Sequence, residues 1–360
     1  MSDTSTHDEP RVLARAAHGL GRLTLNRPRA INALDLSMVQ ALTAALERWE
    51  HDSDVQTVLL DGAGERGLCA GGDVRGLYEQ IVGGDAESAA DFFRAEYSLN
   101  ARIGQYPKPF VALADGITMG GGIGLAGHAG IRIVTERSKL AMPETRIGFT
   151  PDVGGTWLLS RAPGRLGEYL ALTGATMDAA DAIHAGLADT LVPSEHLDDL
   201  RDALETRADP GSPAELVLLF DQTPERSKLE DARAWIDDAF AAGTVAEIVE
   251  RLRARPEAEA SATADLLGEL SPTGLAVTLE AVRRARELPT LRDVLAQEYG
   301  LVMWFATTQP DLTEGIRAQL VDKDRTPRWS PATIAELAPD AAASAFAYRP
   351  VVALWGDPPA

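Results

Sequence analysis

An α/β core followed by an all-α extension is the fold class that the sequence predicts, on three observations. Strand-like and helix-like stretches alternate up to about residue 195. Beyond Pro210 only helical spacing recurs, broken by joints rich in Pro or charge. Two glycine clusters, at Gly71-Gly72 and Gly120-Gly121-Gly122, each follow a strand-like stretch and precede a helix-like one. The expected divisions are a polar, disordered tail over 1–10, an α/β core over 11–209, a helical region over 210–348 and an irregular Pro-rich tail over 349–360.

The elements follow in order. Arg22 to Asn26 alternates as a strand does, and Asn26-Arg27-Pro28-Arg29 breaks it. Leu34 to Trp49 carries apolar residues at helical spacing, with Asp35 or Ser37 placed to cap its start. Val55 to Leu60 reads as a buried strand before the loop 61–67, 91–103 as a helix, and Phe110 to Ala114 as a strand that delivers the chain into the triple glycine. Short strands are expected at 131–135 and 140–141, and helices at 166–172 and 179–185. In the second part, 214–220, 229–241, 245–254, 275–287 and 290–305 are helical.

Composition excludes several classes of function. Fifty-four acidic residues against 34 basic ones give a formal charge of −20, which repels phosphate backbones and argues against nucleic-acid partners. An anionic substrate then needs a local pocket rich in N–H groups or cations. The single cysteine, Cys69, excludes an intrachain disulfide and a cysteine-built zinc site, and fits a reducing, cytoplasmic compartment. With no histidine nearby in sequence to activate it, Cys69 reads as a packed thiol. The stretch 110–131 is apolar enough to suggest a membrane span, but it holds Asp115, His128 and seven glycines, so no membrane partner is expected.

The glycine clusters suit backbone N–H groups that approach a ligand closely, and two such groups converging on one carbonyl oxygen form an oxyanion hole. Each cluster alone reads more readily as a tight turn, and together with the carboxylates Glu144 and Asp152 the two read as a site. Gly122 to Gly127 also fits GxGxxG, but the helix after it would be short and Glu136 arrives too early for a ribose contact. Glu144, in Met142-Pro143-Glu144-Thr145, and Asp152, in Pro151-Asp152-Val153-Gly154-Gly155, are the candidate acid, base or nucleophile. Read alone, each is as readily a surface charge, and Asp152 a helix cap near Val153.

At these residues the chain resembles the crotonase, or enoyl-CoA hydratase/isomerase, superfamily, over roughly residues 21–334. The signature lies in Leu25-Asn26-Arg27-Pro28 with Asn32-Ala33-Leu34, in Cys69-Ala70-Gly71-Gly72-Asp73 and in the run from Gly116 to Gly122. Met142 to Thr145, Pro151 to Gly155, Leu170 to Gly174, Glu298-Tyr299, Glu314 to Ala318, Asp322-Lys323-Asp324 and Pro327-Arg328-Trp329 resemble its 3-hydroxyisobutyryl-CoA hydrolase branch. The resemblance implies a crotonase-like β-β-α spiral core and hydrolysis of an acyl-CoA thioester, with 3-hydroxyisobutyryl-CoA from valine breakdown as substrate. It implies that the N–H groups of Gly72 and Gly121 hold the thioester oxygen, that Glu144 and Asp152 are catalytic, and that Glu96 contacts substrate. CoA is expected along Arg29, Ala30, Ala70 and Asp73, with no metal and no cofactor beyond the CoA of the substrate itself. The second glutamate of hydratases falls at Gly124, which counts against a hydratase or isomerase; a non-catalytic acyl-CoA-binding protein is the alternative of another class. Phe149, Thr150 and Trp157 are expected to shape the acyl pocket, and a homo-oligomer is compatible with the family.

Overall fold

The computed structural model describes residues 9–206 and 212–356. Most of the expected N-terminal tail, the expected division at 209/210 and the last four residues lie outside them. Eight strands form, β1 (Val12–Ala17), β2 (Gly19–Leu25), β3 (Val55–Gly62), β4 (Phe110–Ala114), β5 (Ile117–Met119), β6 (Ile131–Val134), β7 (Lys139–Ala141) and β8 (Thr190–Leu191). The main sheet has the order β1-β2-β3-β4-β6-β8, and β5 and β7 form a second, two-stranded sheet. Every pair is parallel except β1 and β2, a hairpin turned at His18 and Gly19, which both take positive φ.

Between strands the chain returns through helices, as parallel pairing requires. These are α1 (Leu36–Glu50), α2 (Val74–Val82), α3 (Ala86–Gly104) and α4 (Gly121–Ala126), then α5 (Gly155–Ser160), α6 (Leu166–Thr173) and α7 (Ala179–His184). Each turn gives one strand to the main sheet and one extended piece to the second layer before its helix: β3 is followed by 67–72, β4 by β5, and β6 by β7. Single bridges Leu34 to Gly72 and Cys69 to Thr118 extend that second layer. This is a β-β-α spiral, and its second layer is where the glycine clusters sit.

The capping chemistry sets the helix starts. Asp35 accepts the Met38 N–H at 3.0 Å, so α1 begins two residues later than the apolar spacing suggests. Asp85 accepts from Ser88 and starts α3 five residues earlier than expected, at Ala86. The apolar faces of α1 and α3 are buried with β2 to β4, with Met38, Leu42, Leu46 and Tyr97 fully enclosed.

After α8 (Leu197–Thr206) the remaining elements among the described residues are helical: α9 (Pro213–Leu218), α10 (Lys228–Phe240), α11 (Val245–Ala254), α12 (Ala258–Glu269), α13 (Pro272–Ala285), α14 (Leu291–Thr308), α15 (Pro310–Ile316) and α16 (Ala341–Ala347). Thr244 and Thr290 form capping boxes with Glu247 and Asp293, which fix the starts of α11 and α14. Helix α14 lies along α3, and α13 lies against α5 and α6, so the extension packs on the elements that carry the candidate carboxylates. No described helix is long and apolar enough to cross a membrane.

Candidate active site

Two glycine turns bring their N–H groups together. Leu34 N–H bonds to Gly71 O at 2.8 Å and Asp73 N–H to Leu34 O at 2.7 Å, which leaves the Gly72 N–H outside the ladder. Gly120 takes φ +48 at the end of β5, and Gly121 opens α4, where the first N–H has no partner within the helix. A Cβ built on Gly121 would stand 3.3 Å from Gly72 N, 3.2 Å from Leu34 Cδ1 and 2.6 Å from Glu96 Oε1. A side chain at 121 would have to displace the Glu96 carboxyl and crowd the Gly72 nitrogen.

Both glycines line a cavity of about 280 Å³, together with Ala70, Asp73, Glu96, Glu144 and Asp152. Phe92, Phe93, Phe149 and, from the extension, Leu312 and Leu320 supply its apolar walls. Seven of the nine residues singled out in the sequence thus meet in one place. Arg29 and Ala30 do not line it; they lie in the exposed turn Pro28–Ala30, joined to the cavity by the Ala70 N–H to Ile31 O bond of 2.9 Å. Buried Asn32 holds that loop, donating to Ala63 O, Gly67 O and Leu68 O and accepting the Arg27 N–H at 2.8 Å. Asp73 caps α2 through the Gly76 N–H.

The three carboxylates are buried, and among the described residues no cation is paired with any of them. Glu144 follows Pro143 in a short 3-10 turn, and its Oε2 has no hydrogen-bond partner among the described residues. Burial first, and the charge of Asp152 second, push its pKa well above the ordinary glutamate value. Glu96, on α3, also has an unpartnered oxygen, and burial followed by Asp152 pushes it up in the same way. Asp152 is raised to about 7 by burial, against the Tyr97 hydroxyl that donates to its Oδ2 at 2.7 Å. Burial disfavours the charge on all three, and the charge of Asp152 raises the two glutamates further, so the cavity favours the neutral carboxyl at each.

Asp152 does not cap a helix. Helix α5 starts at Gly155 with Gly154 as its cap, and the Asp152 side chain faces Tyr97. Val153 and Gly154, both at positive φ, turn the chain so that it does. Gly124 has no room for a carboxylate, because a Cβ there would stand 2.7 Å from Val153 Cβ and 2.9 Å from Asn100 Nδ2. Trp157 is a correction: it lies outside the cavity, its ring under the Arg161 guanidinium at 3.1 Å. Thr150 also lies outside it, bonded to Thr278 at 3.0 Å, whereas Phe149 lines it. Cys69 is a packed thiol, bonded to Asn32 O and pushed by burial up to about 12.

Sequence reasoning gave no role to Tyr97, His128 or Glu298. Tyr97 follows Glu96 on α3, and only the fold shows that it reaches Asp152. Glu298 belongs to the motif Glu298-Tyr299, but its partners lie 142 and 144 residues away. Among the described residues, no cluster of three or more His, Cys, Asp or Glu is placed to hold a metal ion.

The sequence profile of the family described as Enoyl-CoA hydratase/isomerase matches residues 20–346. A mitochondrial 3-hydroxyisobutyryl-CoA hydrolase of Danio rerio is 41% identical over 90% of this chain and 86% of its own length, and that of Homo sapiens 38% over 88% and 83%. Among solved structures, a carnitinyl-CoA dehydratase from Mycobacterium thermoresistibile is 47% identical with a TM-score of 0.90, covering 96% of this chain and 98% of that one. An enoyl-CoA hydratase from Rhodobacter sphaeroides 2.4.1 is 43% identical with a TM-score of 0.87, covering 94% and 98%. With a spiral core, paired glycine N–H groups over buried carboxylates and relatives of this extent, the chain belongs to the enoyl-CoA hydratase/isomerase, or crotonase, family.

Proposed function

We propose that this protein hydrolyses the thioester of 3-hydroxyisobutyryl-CoA, giving 3-hydroxyisobutyrate and CoA. The observation that carries the reading is the pair Glu144 and Asp152 in one dry cavity beside the Gly72 and Gly121 N–H groups, with the Gly124 position filled by Val153. The two N–H groups receive the thioester oxygen and stabilise the charge it gains as the carbonyl carbon becomes tetrahedral. Glu144 delivers the nucleophile, either its own carboxylate oxygen, which forms a mixed anhydride that water then opens, or a water it deprotonates. Asp152 meets the 3-hydroxyl and supplies the proton that the departing thiolate takes up. Glu96 completes the polar side of the acyl pocket. The coenzyme extends outward past Ala70 and Asp73 toward Arg29 and Ala30.

In this reading CoA is part of the substrate and no other cofactor takes part. We place the protein in the cytoplasm on the strength of its one, reduced cysteine; cell fractionation tests that.

Hydration of an enoyl-CoA is the second reading, favoured by the descriptions of the two solved relatives. One assay separates the two: thiol release from 3-hydroxyisobutyryl-CoA beside loss of the crotonyl-CoA double-bond absorbance, in the wild type, Glu144→Gln and Asp152→Asn. The expected result is thiol release that Glu144→Gln lowers by about 10³-fold or more, with little hydration. Rapid hydration without thiol release overturns the hydrolase. CoA-ester binding with turnover of neither substrate makes the chain a binding protein.

A further inference from the structure

The turn that presents Asp152 is held by groups outside it. Val153 has φ +53, a conformation that a β-branched residue adopts only when its surroundings enforce it. The His128 imidazole, kept neutral by burial with a pKa near 4, donates from Nε2 to Val153 O at 2.8 Å. Glu298, from α14 of the extension, takes three hydrogen bonds from Gly154 of the same turn and from Thr156 in the first turn of α5 that follows it. Its Oε2 accepts the Gly154 N–H at 2.6 Å, and its Oε1 accepts the Thr156 N–H at 2.9 Å and the Thr156 hydroxyl at 2.6 Å.

Glu298 is fully buried, and no cation is paired with it among the described residues. A buried carboxyl without a counter-ion is costly, and an apolar residue of similar size would join α14 to the core more cheaply. Its three donors all lie within four residues of Asp152. A contact that served only to join the extension to the core would have no need of that aim.

We propose that Glu298 is a positioning residue for the reaction, by which the helical extension fixes the Val153-Gly154 turn and so holds Asp152 in the cavity. Resting on the hydrolase reading, this makes the extension part of the catalytic apparatus through a residue that touches no substrate. The Glu298 carboxyl fixes the turn, the turn fixes the Asp152 backbone, and Tyr97 fixes its side chain.

The test compares wild type, Glu298→Gln and Thr156→Val by kcat, KM and the 13C titration of the Asp152 carboxyl, assigned by its loss in Asp152→Asn. Glutamine keeps the size but places an NH2 group against one of the donors. Thr156→Val removes only the hydroxyl bond, and stands in should Glu298→Gln fail to fold. The expected result is a kcat lower by about 30-fold in Glu298→Gln and about threefold in Thr156→Val, KM within about threefold, and an Asp152 titration displaced from its wild-type midpoint. A lower melting temperature with kcat and the Asp152 midpoint unchanged makes Glu298 a purely structural contact and overturns the proposal. A change in kcat without a change at Asp152, or the reverse, overturns it as well. If the wild type releases no thiol, the hydrolase reading fails, while the titration still decides whether Glu298 holds Asp152.

Discussion

On one side of the chemistry stand the backbone N–H groups of Gly72 and Gly121, which carry no charge and do not titrate in the working range; on the other stand the buried Glu96, Glu144 and Asp152, an oxygen of each glutamate without a partner among the described residues. The first set is produced by chain geometry alone. The second is forced into a dry site that raises its pKa values, and that costs folding free energy. Substitutions in the two halves should therefore move stability in opposite directions while both lower the rate. In the glycine half, adding one methyl group harms both rate and fold. In the carboxylate half, removing a charge harms the rate and helps the fold.

In the glycine half the largest expected effect is that of Gly121→Ala. Its backbone φ admits alanine, but the new Cβ would meet Glu96 Oε1 at 2.6 Å and stand 3.3 Å from the Gly72 nitrogen. Loss of one oxyanion donor costs on the order of 10²–10³ in kcat, and the displaced Glu96 lowers stability too. Stopped-flow thiol release and thermal unfolding check this. A normal kcat would mean that the thioester oxygen lies elsewhere.

Asp152→Asn tests the other half by stability. In the unfolded chain Asp152 loses its proton near 3.8, but in the folded protein only near 7, because burial disfavours the charge. Between those values the folded state binds the extra proton, so this group makes the wild type less stable as pH rises from about 4 to 7, with no further change above. Asparagine does not titrate and can still accept from Tyr97. The variant should match the wild type near pH 4 and exceed it at pH 8 by on the order of 3 kcal/mol, with thiol release collapsed. Urea unfolding at the two pH values measures this; equal stability at both would show that Asp152 is not held in a dry site.

Tyr97→Phe sharpens the same half with a smaller change. The Tyr97 hydroxyl favours the ionised form of Asp152, so its removal moves the Asp152 pKa upward and carries the matching limb of the kcat profile to higher pH. The aromatic packing against Phe93 and Tyr299 remains. A pH–rate profile that stays in place would detach Asp152 from the rate.

The same contrast explains what the sequence makes legible. Glycine clusters, and carboxylates beside Pro and Gly, stand out locally as candidates, and the family resemblance is what singles out Gly72, Gly121, Glu144 and Asp152 among them. Helices with large apolar residues at regular spacing were equally plain, and 245–254 coincides with α11. What stayed hidden lacks such a local mark. Strand β1 buries only Val12 and shows no alternation, and α12 buries mostly small residues such as Ala260 and Ala264. Tyr97 and Glu298 act across 55 and more than 140 residues of sequence, so only the packing of α3 and α14 brings them to the Asp152 turn.

Trp157→Ala is the smallest expected effect, and it tests where the acyl pocket ends. From the sequence alone, a tryptophan two residues after Gly155 invites the idea that it narrows the pocket. In the fold α5 begins at that glycine, and the indole turns to the Arg161 guanidinium instead, which it meets at 3.1 Å. The pocket is narrowed by Phe92, Phe93 and Phe149. Alanine at 157 should cost about 1 kcal/mol of stability through the lost cation–π contact and leave kcat/KM for short and longer 3-hydroxyacyl-CoA esters within about twofold. A marked gain for longer chains would show that the pocket opens toward α5 when substrate binds, and would move the carboxylate half of the site closer to the extension than Phe149 allows.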